Sequence, residues 1–163
     1  MSISTIIASL PLAYLAIIAI PLIVIDYKQH RLPNKLVLPM VALGLITDFV
    51  ASAVSGEWWR LGIAFGIAFA ILVLGLVANY FEYLGMGDVK LFVATTLVVA
   101  WFVWWLALVL VAGAIAFGFI STIVLYLTSF TYRYRHAGRQ ATIPLGVFIV
   151  PITLVLGSLA VVA

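Results

Sequence analysis

The chain contains no cysteine and very little charge. Without cysteine it can form no disulfide, supply no thiolate nucleophile and build no Cys-ligated metal site. Only 8% of its 163 residues are charged and 67% are hydrophobic, whereas about 25% of the residues in a soluble domain are charged. The eight basic residues are scattered over short segments, so they form no patch for nucleic acid despite a pI near 9.4. The composition therefore excludes an ordinary soluble domain.

Charge is missing altogether from four stretches, residues 1–25, 61–81, 91–132 and 140–163. Each is long enough for at least one membrane-spanning helix, which needs about 20 apolar residues. Residues 91–130 are too long for one helix across a hydrocarbon layer of about 30 Å. Because Trp prefers the membrane interface, we place a turn in WFVWW (101–105), with Gly113 as the alternative. The sequence thus predicts an all-α membrane protein, a polytopic bundle of about six transmembrane helices in one domain (1–163), with helices at 3–25, 36–54, 61–80, 91–103, 104–130 and 143–162.

The loops of such a bundle alternate between the two sides of the membrane. One set contains seven of the eight Lys and Arg residues, and Arg60 alone falls in the other. The positive-inside rule places the first set in the cytoplasm and both termini outside. The first span has no basic n-region and no cleavage site, so we expect it to be retained. We therefore expect a multi-pass protein of the inner (plasma) membrane, whose cytoplasmic loops are 26–35, 81–90 and 131–142.

Three of the five acidic residues suit solvated or interfacial positions. Glu57 and Arg60 flank two tryptophans in SGEWWR, a pattern typical of an exposed loop with an aromatic anchor. Asp48, in GLITDFV, is expected at an interfacial helix end. Glu82 is expected at a solvated helix terminus.

The two histidines offer no metal site. His30 and His136 lie in different loops without nearby ligands, so we predict interfacial polar residues and no bound metal. The basic, aromatic segment TYRYRHAGR (131–139) favours contact with lipid headgroups.

Asp26 ends the first charge-free run, in PLIVIDYKQHRLPNKLVLP. It belongs to the last turn of the first helix, where the helix dipole disfavours an anion, so another interaction must stabilise it. Pairing with Lys28 or Arg31 at the membrane boundary is one explanation, and a functional role is the other. Pro33 and Asn34 then provide a turn and a fresh helix start.

Asp88 lies in YLGMGDVKLF (83–92), between two long apolar stretches. It precedes the predicted fourth helix by three residues, so it could be an N-cap. An N-cap does not require the glycines at 85 and 87. Glycine permits backbone angles closed to other residues, so this loop could pass close to another chain or to a substrate.

Asp26 and Asp88 are more informative together than apart, because the predicted topology puts both at the same ends of helices and at similar depth. Two carboxylates that approach closely cannot both ionise easily, so they share a proton. One can then deprotonate an attacking water while the other protonates the carbonyl oxygen and later the leaving amine. This pattern indicates acid–base hydrolysis of an amide without a covalent intermediate.

These motifs resemble the type IV prepilin peptidases, membrane aspartyl proteases of the Gly-x-Gly-Asp kind. GMGDVKLF (85–92) is similar to the signature of that family, and IDYKQHRLPNKLVLP (25–39) is similar to its first-aspartate region. IPLGVFI (143–149) is a weaker likeness to the Pro-x-Gly-Pro stretch of the last helix, with Val147 in place of the second proline. The resemblance covers nearly the whole chain.

The resemblance implies that Asp26 and Asp88 are a catalytic dyad that removes the short basic leader of prepilins at the cytoplasmic membrane face. Lys90 is expected near the dyad, in contact with a backbone carbonyl. The larger family members carry Cys-x-x-Cys zinc motifs and also N-methylate the pilin, but this chain has no cysteine, so we expect a minimal peptidase without cofactors. Its partners would be prepilins with a transmembrane N-terminal helix and the lipid bilayer, while the oligomeric state stays open. The residues expected to shape the site are Gly85, Gly87, Lys90, Pro33 and Asn34.

Other functions compete with this interpretation. Carboxylates within a membrane also serve proton- or ion-coupled transporters, although no inverted repeat is visible and both acids sit at one face. A presenilin-like or signal-peptide-peptidase-like protease also uses Gly-x-Gly-Asp, but the Asp-Tyr and Pro-Asn contexts fit it poorly. A non-enzymatic assembly factor of a pilus or secretion machine is the third alternative. Only the protease hypothesis requires both Asp26 and Asp88 for one reaction.

Overall fold

In the computed structural model, which describes residues 2–29, 32–81, 84–113, 116 and 146–162, the chain is helical. Three helices are long and apolar enough to cross a membrane, and they are the first three of the chain. Within the described residues a fourth helix of 17 residues packs among them, and two further apolar helices are also shorter than the first three. The six helices are α1 (Ile3–Gln29), α2 (Asn34–Ser55), α3 (Trp58–Tyr80), α4 (Met86–Phe102), α5 (Trp104–Gly113) and α6 (Gly146–Val162).

Each predicted helix is present over at least part of its length, but several boundaries differ. α1 continues past residue 25, so Asp26 lies inside the helix. α2 begins at Asn34, because Pro33 adopts an extended N-cap conformation and its carbonyl accepts the first helical N–H groups. α4 ends at Phe102 and α5 begins after Val103, which confirms the turn predicted within WFVWW.

Several predictions fall outside the part of the chain that the structure describes. They concern the side chains of His30, Arg31 and Glu82 and the basic aromatic segment 131–139 with His136. They also concern the end of the predicted helix 104–130 and the start of the predicted helix 143–162. These stay predictions.

α4 lies at the centre of the described bundle and packs against α1, α2, α3 and α6. Its residues from Ala94 to Trp101 are all buried, as are Val89, Leu91 and Phe92. A helix that is apolar on every side is stable only when neighbours surround it. The first turn of α4 is therefore fixed in position by the rest of the bundle.

α2 and α4 run parallel, as contacts at three successive levels show. Lys90 Nζ donates to Asn34 Oδ1 over 2.9 Å at the start of both helices. Further along, a Cβ atom at Gly44 would lie 3.7 Å from Leu97 Cβ. Near the far end, Trp101 Nε1 donates to Ser52 Oγ over 2.9 Å. We call the two ends the aspartate end (Asp26, Leu32–Asn34, Gly85–Lys90 and Gly146) and the tryptophan end (Ser52, Trp58, Trp59, Trp101 and Trp104).

α6 runs antiparallel to α1. Gly146, its first residue, packs against Asp26 near the end of α1, and Gly157 packs against Leu12 in the first half of α1. The end of α1 and the starts of α2, α4 and α6 therefore meet at the aspartate end.

The tryptophan end holds the exposed pair expected from SGEWWR. Glu57 and Arg60 form an ion pair of 2.9 Å, and both side chains are partly exposed. The Arg60 guanidinium also lies 5.4 Å from the Trp59 ring centre and 5.3 Å from that of Trp101. The loop thus joins α3 to the end of α4 by charge and cation–π contact.

Asp48 is buried, and the expectation of an interfacial position is wrong. Its side chain is 0% exposed. Gly44 and Ser52, one helical turn before and after it, both contact α4, so Asp48 lies on the face of α2 that packs into the bundle. Neither of its carboxylate oxygens has a hydrogen-bond partner among the residues that the structure describes.

Candidate active site

Asp26 lies one turn before the end of α1 and is almost fully buried, at 3% exposure. The N-terminus of α6 covers it: a Cβ atom added at Gly146 would lie 2.8 Å from Asp26 Oδ2. The carboxylate therefore faces a helix start and not the open end of its own helix. This placement explains how an acid is tolerated in the last turns of α1, where its own helix dipole is unfavourable.

Asp88 is the third residue of α4, which begins at Met86 and not at residue 91 as predicted. It is not the N-cap, because Gly85 holds that position. Its carboxylate instead reaches back and accepts a hydrogen bond from the backbone N–H of Gly85. A third-residue acid often plays this part at a helix start, where the dipole also favours negative charge.

The Asp26 and Asp88 carboxyl groups lie close enough to interact electrostatically. Asp88 lies outside the three helices of membrane-spanning length. Burial and the nearby Asp26 carboxylate raise the pKa of Asp88 to about 7, and the hydrogen bond from Gly85 acts in the opposite direction. Two carboxyl groups coupled in this way hold a proton near neutral pH. One can act as an acid while the other acts as a base.

The glycines at 85 and 87 serve a different purpose from the one predicted. Gly85 has an ordinary extended conformation, with φ −68°, and Gly56 is the one described glycine with positive φ. Their value is space: a Cβ at Gly85 would lie 2.9 Å from Asp88 Oδ2, and one at Gly87 would lie 2.9 Å from Leu32 Cβ. Without a side chain at residue 85 the Asp88 carboxyl can fold back against the start of α4. Without one at residue 87 the first turn of α4 can pack against Leu32 in the α1–α2 connection.

Lys90 binds a side chain and not the expected backbone carbonyl. Its ammonium donates to Asn34 Oδ1 over 2.9 Å, and Asn34 is fixed as the first residue of α2 by Pro33. The bond ties the first turns of α2 and α4 together beside the two aspartates.

The comparison with known families agrees with this geometry. The profile of the type IV leader peptidase family matches residues 13–163. The chain belongs to that family. Neither the curated proteins nor the solved structures give a match. The matched range includes both aspartates and all the residues that surround them, so the chain is a member of a family of membrane proteases.

Two residues that surround the aspartates were not predicted from the sequence. Gly146 was noted only as part of the weak motif IPLGVFI, yet it contacts Asp26. Leu32, an apolar residue before Pro33, lies between Gly87 and Gly146 and is 8% exposed. The glycine within an apolar helix start was a usable signal for Gly146. Nothing in the local sequence distinguishes Leu32 from other leucines.

The last turn of α3 also contacts the segment before Gly85. Asn79 Nδ2 donates to the carbonyl of Leu84 over 2.8 Å, which holds the segment leading into Gly85.

Within the described residues, no group of three His, Asp or Glu side chains is placed to hold a metal ion. An apolar groove of about 730 Å³ lies between α2 and α3 near Trp58. It belongs to the tryptophan end and has no acidic lining, so it is separate from the aspartates.

Proposed function

We propose that this leader peptidase is an aspartyl endopeptidase that removes the short basic leader from prepilins at the cytoplasmic face of the inner membrane. The observation that carries the proposal is the electrostatic interaction between Asp26 and Asp88, which come from helices far apart in the sequence. Family membership supports the reaction class, and the electrostatic coupling of the two carboxylates supports the chemistry. Asp26 and Asp88 are the proposed catalytic residues.

The reaction follows from a dyad that holds one proton. The ionised carboxylate takes a proton from a water molecule, whose oxygen attacks the scissile carbonyl carbon. The protonated carboxyl gives its proton to the carbonyl oxygen, so a neutral tetrahedral intermediate forms. The base then returns its proton to the leaving amine as the C–N bond breaks, and the intermediate transfers a hydroxyl proton back to the dyad. No covalent enzyme intermediate and no cofactor are required.

The orientation proposed for the bundle rests on its charges. Lys28, Lys35 and Lys90 lie at or beside the aspartate end, whereas Arg60 lies at the tryptophan end. Under the positive-inside rule the aspartate end faces the cytoplasm. A prepilin whose apolar helix already spans the bilayer then presents the peptide bond before that helix at the depth of Asp26 and Asp88.

The proposed substrate class is a prepilin or pseudopilin with a basic leader, cut after a glycine. The negative charge of the dyad offsets the repulsion between a basic leader and the nearby lysines. We expect no methylation of the mature pilin, because the chain lacks the cysteine motifs that accompany that activity in larger relatives. The lipid bilayer is the other expected partner, and no nucleic acid is expected.

A co-expression assay tests the proposal. The wild type, Asp26→Asn, Asp88→Asn and Asp48→Asn would each be produced with a prepilin-like substrate, and leader removal followed by its mobility shift. Each dyad variant should lower processing by at least about 100-fold, the lower range for loss of an acid–base group. Asp48→Asn, a matched change at a buried carboxyl away from the dyad, should process normally.

The alternatives predict other results. A transporter could depend on Asp48 or on only one of the pair, and an assembly factor would tolerate Asn at each position. Processing that persists in both dyad variants, at wild-type protein levels, would contradict the aspartyl mechanism.

A further inference from the structure

Leu32 is held between two glycines that begin different helices. A Cβ at Gly87 would lie 2.9 Å from Leu32 Cβ and 3.3 Å from its backbone nitrogen, so α4 packs against the main chain here. A Cβ at Gly146 would lie 3.1 Å from Leu32 Cδ2. The side chain is 8% exposed. One leucine therefore separates the first turn of α4 from the first turn of α6.

Each of these glycines is also linked to one aspartate. Gly87 directly precedes Asp88 in the chain. Gly146 lies against the other carboxyl, since a Cβ there would be 2.8 Å from Asp26 Oδ2 and 3.2 Å from its Cγ. The Cβ end of Leu32 therefore lies against the segment that carries Asp88, and its Cδ2 end lies against the glycine that contacts Asp26, so a change in the length of this side chain alters the distance between the two segments.

We propose that Leu32 is a positioning residue, which sets the separation of Asp26 and Asp88 through its contacts with Gly87 and Gly146. The proposal rests on the function proposed above and adds a residue that touches neither the substrate nor the reacting atoms. In this arrangement the leucine acts as a spacer. Shortening it keeps the Cβ contact with Gly87 but removes the Cδ2 contact with Gly146, so the start of α6 can move relative to α4 and the Asp26 carboxyl that it contacts can move relative to Asp88.

The spacing matters because the repulsion between carboxylates depends on distance. At an effective dielectric constant of about 20, moving two charges from about 4 to about 6 Å apart weakens their interaction by about one pKa unit. A change in spacing therefore alters the pH at which the dyad loses its proton. A residue that only fills the core would lower stability without moving that pH.

The test compares purified full-length variants on a prepilin-like substrate with a basic leader ending in glycine, over a range of pH. Leu32→Ala should lower kcat by about tenfold or more and shift the alkaline limb of the pH profile by about one unit. Leu32→Met keeps the volume and should stay within about threefold of the wild type, with an unchanged profile. Leu15→Ala is the matched control, because Leu15 is also a buried leucine, at 0% exposure, in the middle of α1.

A second pair of variants covers the case in which Leu32→Ala does not fold. Gly146→Ala adds a methyl group between Leu32 and Asp26, and should shift the alkaline limb in the same manner. Gly157→Ala, in the same helix but against Leu12, should change stability and leave the profile in place. Equal pH profiles for the Leu32, Leu15 and Gly146 variants would overturn the proposal. Cleavage by Asp26→Asn or Asp88→Asn would instead overturn the proposed function, so the two failures are distinguishable.

Discussion

The two ends of this helix bundle each bury a carboxyl group, but in opposite settings. At the aspartate end, Asp26 and Asp88 interact, and the backbone N–H of Gly85 donates to Asp88. Toward the tryptophan end, Asp48 lies one helical turn before Ser52, is 0% exposed, and its oxygens have no hydrogen-bond partner among the described residues. The buried hydrogen bond from Trp101 to Ser52, one helical turn further along α2, does not include it.

The difference arises from where each acid lies on its helix. The first turn of a helix has backbone N–H groups without helical partners, which can bind a carboxylate. Asp88 lies in such a turn, and Asp26 faces another at the start of α6. Asp48 lies well inside α2, where the backbone N–H groups already bond within the helix. The two aspartates that interact therefore lie where helix ends converge, whereas the isolated buried carboxyl of Asp48 lies inside a helix.

The pH dependence of cleavage should show the largest effect. Because the pKa of Asp88 is raised to about 7, the dyad loses its proton as the pH rises through that value. Activity should fall by about tenfold per pH unit above 7, hence by about 100-fold at pH 9. Asp48→Asn should leave the profile unchanged. An activity that stays level to pH 9 would show that the two aspartates are not electrostatically coupled. The two ends of the bundle would then not differ in this respect.

The same shift predicts a trend in stability. The folded state binds the Asp88 proton more tightly than the unfolded chain does, since its pKa is raised. This contribution is fully present below the ordinary pKa of Asp, about 4, and is lost as the pH rises through about 7. Asp88→Asn should therefore gain stability relative to the wild type as the pH increases from about 4 to about 8, measured by unfolding in detergent.

Gly85→Ala should reduce cleavage by about tenfold. The added methyl group would lie 2.9 Å from Asp88 Oδ2, so the carboxyl must turn away from its bond to the Gly85 N–H and from Asp26. Gly62→Ala in α3 is the matched control, because a Cβ there meets nothing within 4 Å. Its cleavage rate should match the wild type. Equal rates for the two variants would show that the space at Gly85 is not needed for catalysis.

Much of this contrast could be predicted from the sequence, for identifiable reasons. Charge-free runs and tryptophans indicated the helices and the turn at Val103, and the two aspartate motifs indicated the family. These are local patterns that physical chemistry ties directly to structure. The start of α4 was placed five residues late, because the Gly-x-Gly segment favours a loop in isolation and becomes helical here against Leu32 and Asp88.

The features that sequence reasoning missed depend on contacts between distant segments. The position of Asp48 depends on which face of α2 meets α4, and an α2 that is apolar nearly all round does not show this. The roles of Gly146 and Leu32 appear only when α1, α4 and α6 are brought together. Such contacts leave no periodic trace in one sequence.

Lys90→Met should have a smaller effect, about threefold on cleavage. It removes the 2.9 Å bond to Asn34 that joins α2 and α4 beside the dyad. A double-mutant cycle with Asn34→Ala should give a coupling of about 1 kcal/mol in unfolding free energy, the usual net value for a hydrogen bond. Lys35→Met removes the same charge from an exposed position in α2 and should change neither quantity. Additive effects of the two mutations would show that the bond contributes nothing.

Asp48→Leu should have the smallest effect on cleavage, within about twofold of the wild type, and should stabilise the fold. The substitution removes a buried carboxyl whose desolvation is offset by no hydrogen bond from the described residues, and relief of that cost is worth about 1–3 kcal/mol. Thr47→Val is the matched control, because the neighbouring Thr47 hydroxyl already donates to the carbonyl of Leu43 over 2.8 Å and its removal should bring no comparable gain. Denaturant unfolding in detergent measures the stability of both variants. A loss of cleavage in a folded Asp48→Leu protein would show that Asp48 takes part in the reaction. It would favour a proton-coupled role for Asp48 over a reaction carried out by Asp26 and Asp88 alone.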